Sequence, residues 1–66
     1  MKMTKEQTRL CLRDIYLEWL VANQDCHEKE LAFFACIRQR DDFYRFSFGR
    51  HSDYQMTAIW VREWDE

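Results

Sequence analysis

From Lys5 to Ala22 the apolar positions recur with a helical period. Advancing about 100° per residue, Cys11, Leu12, Ile15, Tyr16, Trp19, Leu20 and Ala22 fall within half the circumference, the wide stripe of a helix packed on a core. Thr4 with Gln7 three residues later has the capping-box form and sets the start of this helix at Lys5. Three further apolar residues, Leu10, Leu17 and Val21, align on the opposite side between Arg13 and Asp14, where a monomer gives them no obvious cover. Asn23, Gln24 and Asp25 interrupt the pattern. Asp25 with Glu28 repeats the capping logic for a second helix from Cys26 to about Arg40, joined to the first by a very short turn. Its apolar residues, Leu31 to Ile37, surround nearly the whole axis, as suits an element covered on more than one side and central to the fold.

Beyond Asp42 the period changes to two. Tyr44, Phe46 and Phe48 alternate with polar residues up to Gly49, the only glycine. After the loop, Tyr54, Met56, Ala58 and Trp60 alternate with Gln55, Thr57, Ile59 and Val61, in a stretch rich in residues that favour strands. The pattern predicts a β-hairpin and an α+β fold in which a two-helix hairpin precedes the β-hairpin (ααββ). One hairpin face would pack on the helices. The reverse face would be apolar at its base, at Phe43, Ile59 and Val61. A two-stranded ribbon is weak alone and leaves its edges unpaired, so dimerisation would complete the sheet. Two rival readings keep the C-terminal half helical. In one, Ser52 with Gln55 caps a third helix, giving an all-α three-helix protein; in the other, the second helix runs on to Phe48 with Gly49 as its C-cap.

The 66 residues form a single small domain over 1–66, and a chain this short has difficulty burying enough surface to be stable. Aromatic residues make up 17% of it, which supplies large buried area for few rotatable bonds. With 47% hydrophobic residues, one Gly and no Pro, the composition is that of a folded globule. Net charge is −2, too balanced to announce a nucleic-acid binder by itself, although four arginines meet only two aspartates between Arg38 and His51. Cys11, Cys26 and Cys36 are odd in number and set among apolar residues, as expected of reduced thiols in the cytoplasm. The start of the chain carries no apolar run of a secretory leader, and no apolar run approaches the roughly 20 residues of a membrane span.

Candidate chemistry is sparse. Cys26, His27, Cys36 and His51 include zinc-ligand types, but no two cysteines have knuckle spacing, and His27 with Glu28 fails the HExxH helix motif at Leu31. His51, Ser52 and Asp53 have the residue types of a hydrolytic triad, yet adjacent residues cannot converge on one another. A single glycine excludes a glycine-rich phosphate loop. No cofactor, metal or enzymatic activity is expected. Function is therefore expected to be recognition of another protein, most readily as a homodimer, through Leu10, Leu17, Val21, Phe43, Arg45, Ile59, Val61, Arg62 and Trp64. Such a glycine-poor, tryptophan-rich chain is of the type found among phage or mobile-element accessory proteins that act on host machinery. The alternative is single-stranded nucleic-acid binding by Arg38, Arg40, Arg45, Arg50 and His51 interleaved with aromatic rings.

Overall fold

Thr4 begins the first helix as its side chain suggests. Its Oγ1 accepts the Gln7 N–H at 3.1 Å, and Gln7 Oε1 accepts the Thr4 N–H at 2.9 Å, so two helix-end donors are satisfied reciprocally. The computed structural model, which describes residues 2–65, contains helix α1 over Lys5–Ala22, α2 over Lys29–Arg38, a 3-10 turn over Phe43–Arg45 and α3 over Asp53–Trp64. No strand is present among the described residues. The expected α+β fold with its C-terminal hairpin is thus corrected to an all-α, three-helix fold, the arrangement that capping at Ser52 had offered as the alternative.

Residues 43–48 fail as a strand because their backbone finds partners close at hand. Arg45 and Phe46 N–H groups close a tight turn onto Asp42 and Phe43 carbonyls, at 3.0 and 3.1 Å. The Arg45 carbonyl accepts from the Met3 N–H at 2.7 Å, and the Ser47 N–H donates to the Thr8 hydroxyl at 2.9 Å. Backbone polar groups satisfied in this way need no neighbouring strand. The alternation of aromatics is broken accordingly: Phe46 is buried, Phe48 is half-buried, and Tyr44 faces solvent at 68% exposure.

Residues 53–64 obey the helical period better than the alternating one. Met56, Thr57, Trp60 and Val61 all lie inside, with Trp64 packed against them at the next turn. Thr57 is the residue that reconciles the pattern. Its hydroxyl donates to the Asp53 carbonyl at 2.8 Å, one turn back, so a nominally polar side chain is fully buried without an unmet hydrogen bond. Ser52 caps the helix through its Oγ, which accepts the Gln55 N–H at 3.1 Å. Gly49, at φ +69°, supplies the left-handed turn before it.

The link between α1 and α2 is longer than expected. Asn23 closes a turn onto the Cys26 N–H at 3.1 Å, Glu28 precedes the helix without a side-chain cap, and Asp25 takes no part in capping. Six residues therefore cross between the helices, and α2 loses its first turn.

The three helices meet around rings. Tyr16 of α1 contacts Phe33 of α2 edge-on at 5.1 Å and Trp64 of α3 at 5.6 Å. Phe34 of α2 contacts Tyr54 of α3 at 5.4 Å and Phe43 of the 3-10 turn at 6.3 Å, while Phe48 reaches Trp60 at 6.1 Å. These contacts, with Leu12, Ile37, Met56 and Val61, make one core. The burden a small domain places on aromatic packing is carried here by rings drawn from every element.

Candidate protein-docking surface

The core side of α1 is set by Leu12 and Tyr16, both without solvent exposure, flanked by half-buried Cys11, Ile15, Trp19 and Leu20. The far side of the same helix is left open. Leu10 and Leu17 are 49% and 47% exposed and Val21 is 75% exposed, one above another along the axis. An exposed apolar residue alone means little, but three aligned on one face of the longest helix form a stripe. Arg13 and Asp14 stand on its two sides near mid-helix, both exposed and neither in an ion pair among the described residues.

A second surface lies along α3. Tyr54, Gln55, Ala58, Ile59 and Arg62, preceded by His51, line a shallow open groove of about 370 Å³. Residues spaced by three and four share a helix face, so the groove follows from the helical register of this segment. Ile59 and Arg62 were expected contact residues, and this groove brings them together. Tyr54 and Ala58 join them unannounced, because an alternating reading puts both on the opposite face from Ile59; His51, expected only as a nucleic-acid contact, joins them too.

The remaining expected contacts are distributed differently. The apolar hairpin base of Phe43, Ile59 and Val61 does not exist. Val61 is 1% exposed in the core, and Phe43 packs edge-on against Phe46 at 6.1 Å. Trp64 is half-buried, stacked on Trp60 at 6.3 Å, and its indole Nε1 is buried without a hydrogen-bond partner among the described residues. Arg45 is exposed at the end of the 3-10 turn.

The cationic segment is also resolved residue by residue. Arg38, Arg40, Arg45, Arg50 and His51 are all exposed. Arg40 donates to both Asp42 carboxylate oxygens, at 3.0 and 3.3 Å, and this bonding holds the Asp42 carboxyl below its usual value. The Arg38 guanidinium lies 6.0 Å from the Phe34 ring centre. With Phe46 in the core and Phe43 and Phe48 packed against it, Tyr44 is the aromatic of the segment left open for stacking on a base.

Of the groups with triad chemistry, Ser52 and Asp53 are engaged with backbone N–H groups at the start of α3, while His51 borders the α3 groove. Ser52 Oγ holds the Gln55 N–H, and Asp53 Oδ1 accepts its neighbour's N–H, from Tyr54, at 2.8 Å. Among the described residues, His, Cys, Asp and Glu do not gather into a group of three able to hold a metal ion. Cys11 and Cys26 are half-buried free thiols, and Cys36 is an exposed one. At the α1–α3 end, the Tyr16 hydroxyl donates to Asp65 Oδ1 at 3.3 Å, and the same oxygen lies 3.5 Å from Lys29 Nζ. Burial first, and the Asp65 carboxylate second, push the Tyr16 phenol up to about 12. This cluster joins three parts of the chain and keeps the phenol protonated, so it fastens the fold. No described helix is long and apolar enough to cross a membrane.

Comparison with protein-family models, with curated proteins and with solved structures finds no match, so the geometry of the chain itself carries the functional argument.

Proposed function

We propose that this chain is a small, non-catalytic protein-binding module whose docking surface is the outer face of α1. The observation that carries the reading is the stripe Leu10, Leu17 and Val21, which stays in water although the helix already packs Thr8, Leu12 and Tyr16 into the core on its other side. Apolar residues left exposed add little to the stability of a small domain, and contact with a partner gains the burial that folding alone does not give them. The groove on α3, with Ile59 and Arg62, offers a second and smaller surface of the same kind. The free thiols accord with work in a reducing cytoplasm.

The reading is tested by immobilising the wild-type chain and a Leu10→Gln, Leu17→Gln variant side by side and comparing what each retains from lysate of the source cell. Both positions are exposed, so the variant is expected to keep its helical circular dichroism. Proteins retained by the wild type and lost from the variant are the expected result. An identical retained set would overturn α1 as the docking surface.

A further inference from the structure

The charges that flank the α1 stripe say what fits it. We propose that the occupant is a second copy of this chain, with the two α1 helices side by side and parallel about a two-fold axis; this rests on the reading of the outer α1 face as the docking surface. At about 100° per residue, Leu10, Leu17 and Val21 lie within about 20° of the stripe's centre, with Arg13 about 60° to one side and Asp14 about 40° to the other. Those two residues differ by one step along the axis, about 1.5 Å. When two such helices run parallel face to face, the two-fold axis brings the Arg13 side of one against the Asp14 side of the other, twice. Each exposed charge without an ion-pair partner in its own subunit then meets its opposite.

The apolar positions and Glu6 accord with the same register, while exposed Glu18, about 80° to the Asp14 side, comes beside Leu20 and gains no partner. Leu10 meets its own copy, and so does Leu17. Half-buried Leu20, on the Arg13 side, comes beside Val21 of the other subunit, apolar on apolar. Glu6, which is held by Arg9 at 2.8 Å within its own subunit, comes beside uncharged Gln7. An antiparallel pairing centred on the stripe, near residue 16, fails this comparison, because it sets Asp14 against Glu18 of the other copy, twice, and leaves Arg13 without an opposite charge. Sliding the antiparallel helices until Glu6 faces Arg13 would remove the clash but move Leu17 past the start of its partner helix, leaving it and Val21 in water. The body of each subunit lies behind Leu12 and Tyr16, on the far side of α1 from the stripe, so it does not obstruct the approach. Three apolar side chains per copy make a small interface, at the weak end of specific association, in the micromolar range or above.

Sedimentation equilibrium between about 10 and about 500 µM at low ionic strength tests the pairing, since weak interfaces of this size show themselves only at such concentrations. The wild type is expected to dimerise. Arg13→Asp places four carboxylates at the centre, and Asp14→Arg four cations, so each single variant is expected to weaken dimerisation about tenfold or more. The double variant Arg13→Asp, Asp14→Arg restores opposite charges with their sides exchanged and is expected to return to within about threefold of the wild type. Both positions changed are exposed helix surface, and circular dichroism verifies folding of each protein before sedimentation. A wild type that stays monomeric over the whole range would overturn the second copy as occupant, while the lysate comparison above still decides whether α1 is a docking face. Dimers indifferent to either single change, or a double variant as weak as the singles, would overturn the parallel arrangement.

Discussion

At the scale of single residues, the hydroxyls decide which polar side chains can enter the core. Thr8 and Thr57 are fully buried because each donates to the carbonyl one turn back, and Thr8 also receives the Ser47 N–H. Tyr16 is the largest of these cases, with its ring in the core and its oxygen on Asp65. Its phenol is raised from the usual tyrosine value of about 10 to about 12, so the fold favours the protonated form. The stabilisation that follows is full below the unfolded value and is lost as pH climbs through the folded one, in the alkaline window between the two. Thermal melting of the wild type is therefore expected to fall more steeply through that window than melting of Tyr16→Phe. Parallel curves for the two proteins would show that Tyr16 does not couple to pH in this way.

At the scale of elements, α3 is where alternation and helical period compete. Ser52→Ala removes the Oγ that holds the Gln55 N–H, and loss of such a cap costs about 1 kcal/mol. Urea denaturation is expected to record that loss together with a drop in helical circular dichroism; a loop serine in a β-hairpin would produce neither. The first helix was legible from end to end because Thr4, Gln7 and the wide apolar stripe all point to the same structure. Its outer stripe was legible for the same reason, since period alone places Leu10, Leu17 and Val21 together. In α3 the β-branched residues Thr57, Ile59 and Val61 suit a strand, and Thr57 counts as a surface residue until its bond to the Asp53 carbonyl is known. Once Thr57 is allowed inside, the inward set Met56, Thr57, Trp60, Val61 and Trp64 has helical spacing. The groove of Tyr54, Ala58 and Ile59 was hidden by the same ambiguity, because register decides which side chains are neighbours. The bend at Phe43–Phe48 depends on Thr8 and Met3, some forty positions away, and local pattern has no access to that.

At the scale of the whole molecule, the fold closes without help from a second chain. Its radius of gyration is 11.1 Å, and a compact domain of this length is expected near 11 Å. The aromatic core spans all three helices, so association is not needed to complete a sheet or a core. What remains open is a surface and not a gap in the fold, and this is why the proposed dimerisation uses the outer face of α1 and not a hairpin edge. Exchange between separately folded subunits is the behaviour that follows. The most direct measurement is oxidative cross-linking of Leu17→Cys in a background where Cys11, Cys26 and Cys36 are replaced by alanine or serine. A parallel α1 pair places position 17 beside its own copy, so a disulfide-linked dimer is expected to form many times faster than from a cysteine placed at exposed Glu63 in the same background. Equal rates at the two positions would contradict the pairing of two copies through the outer face of α1.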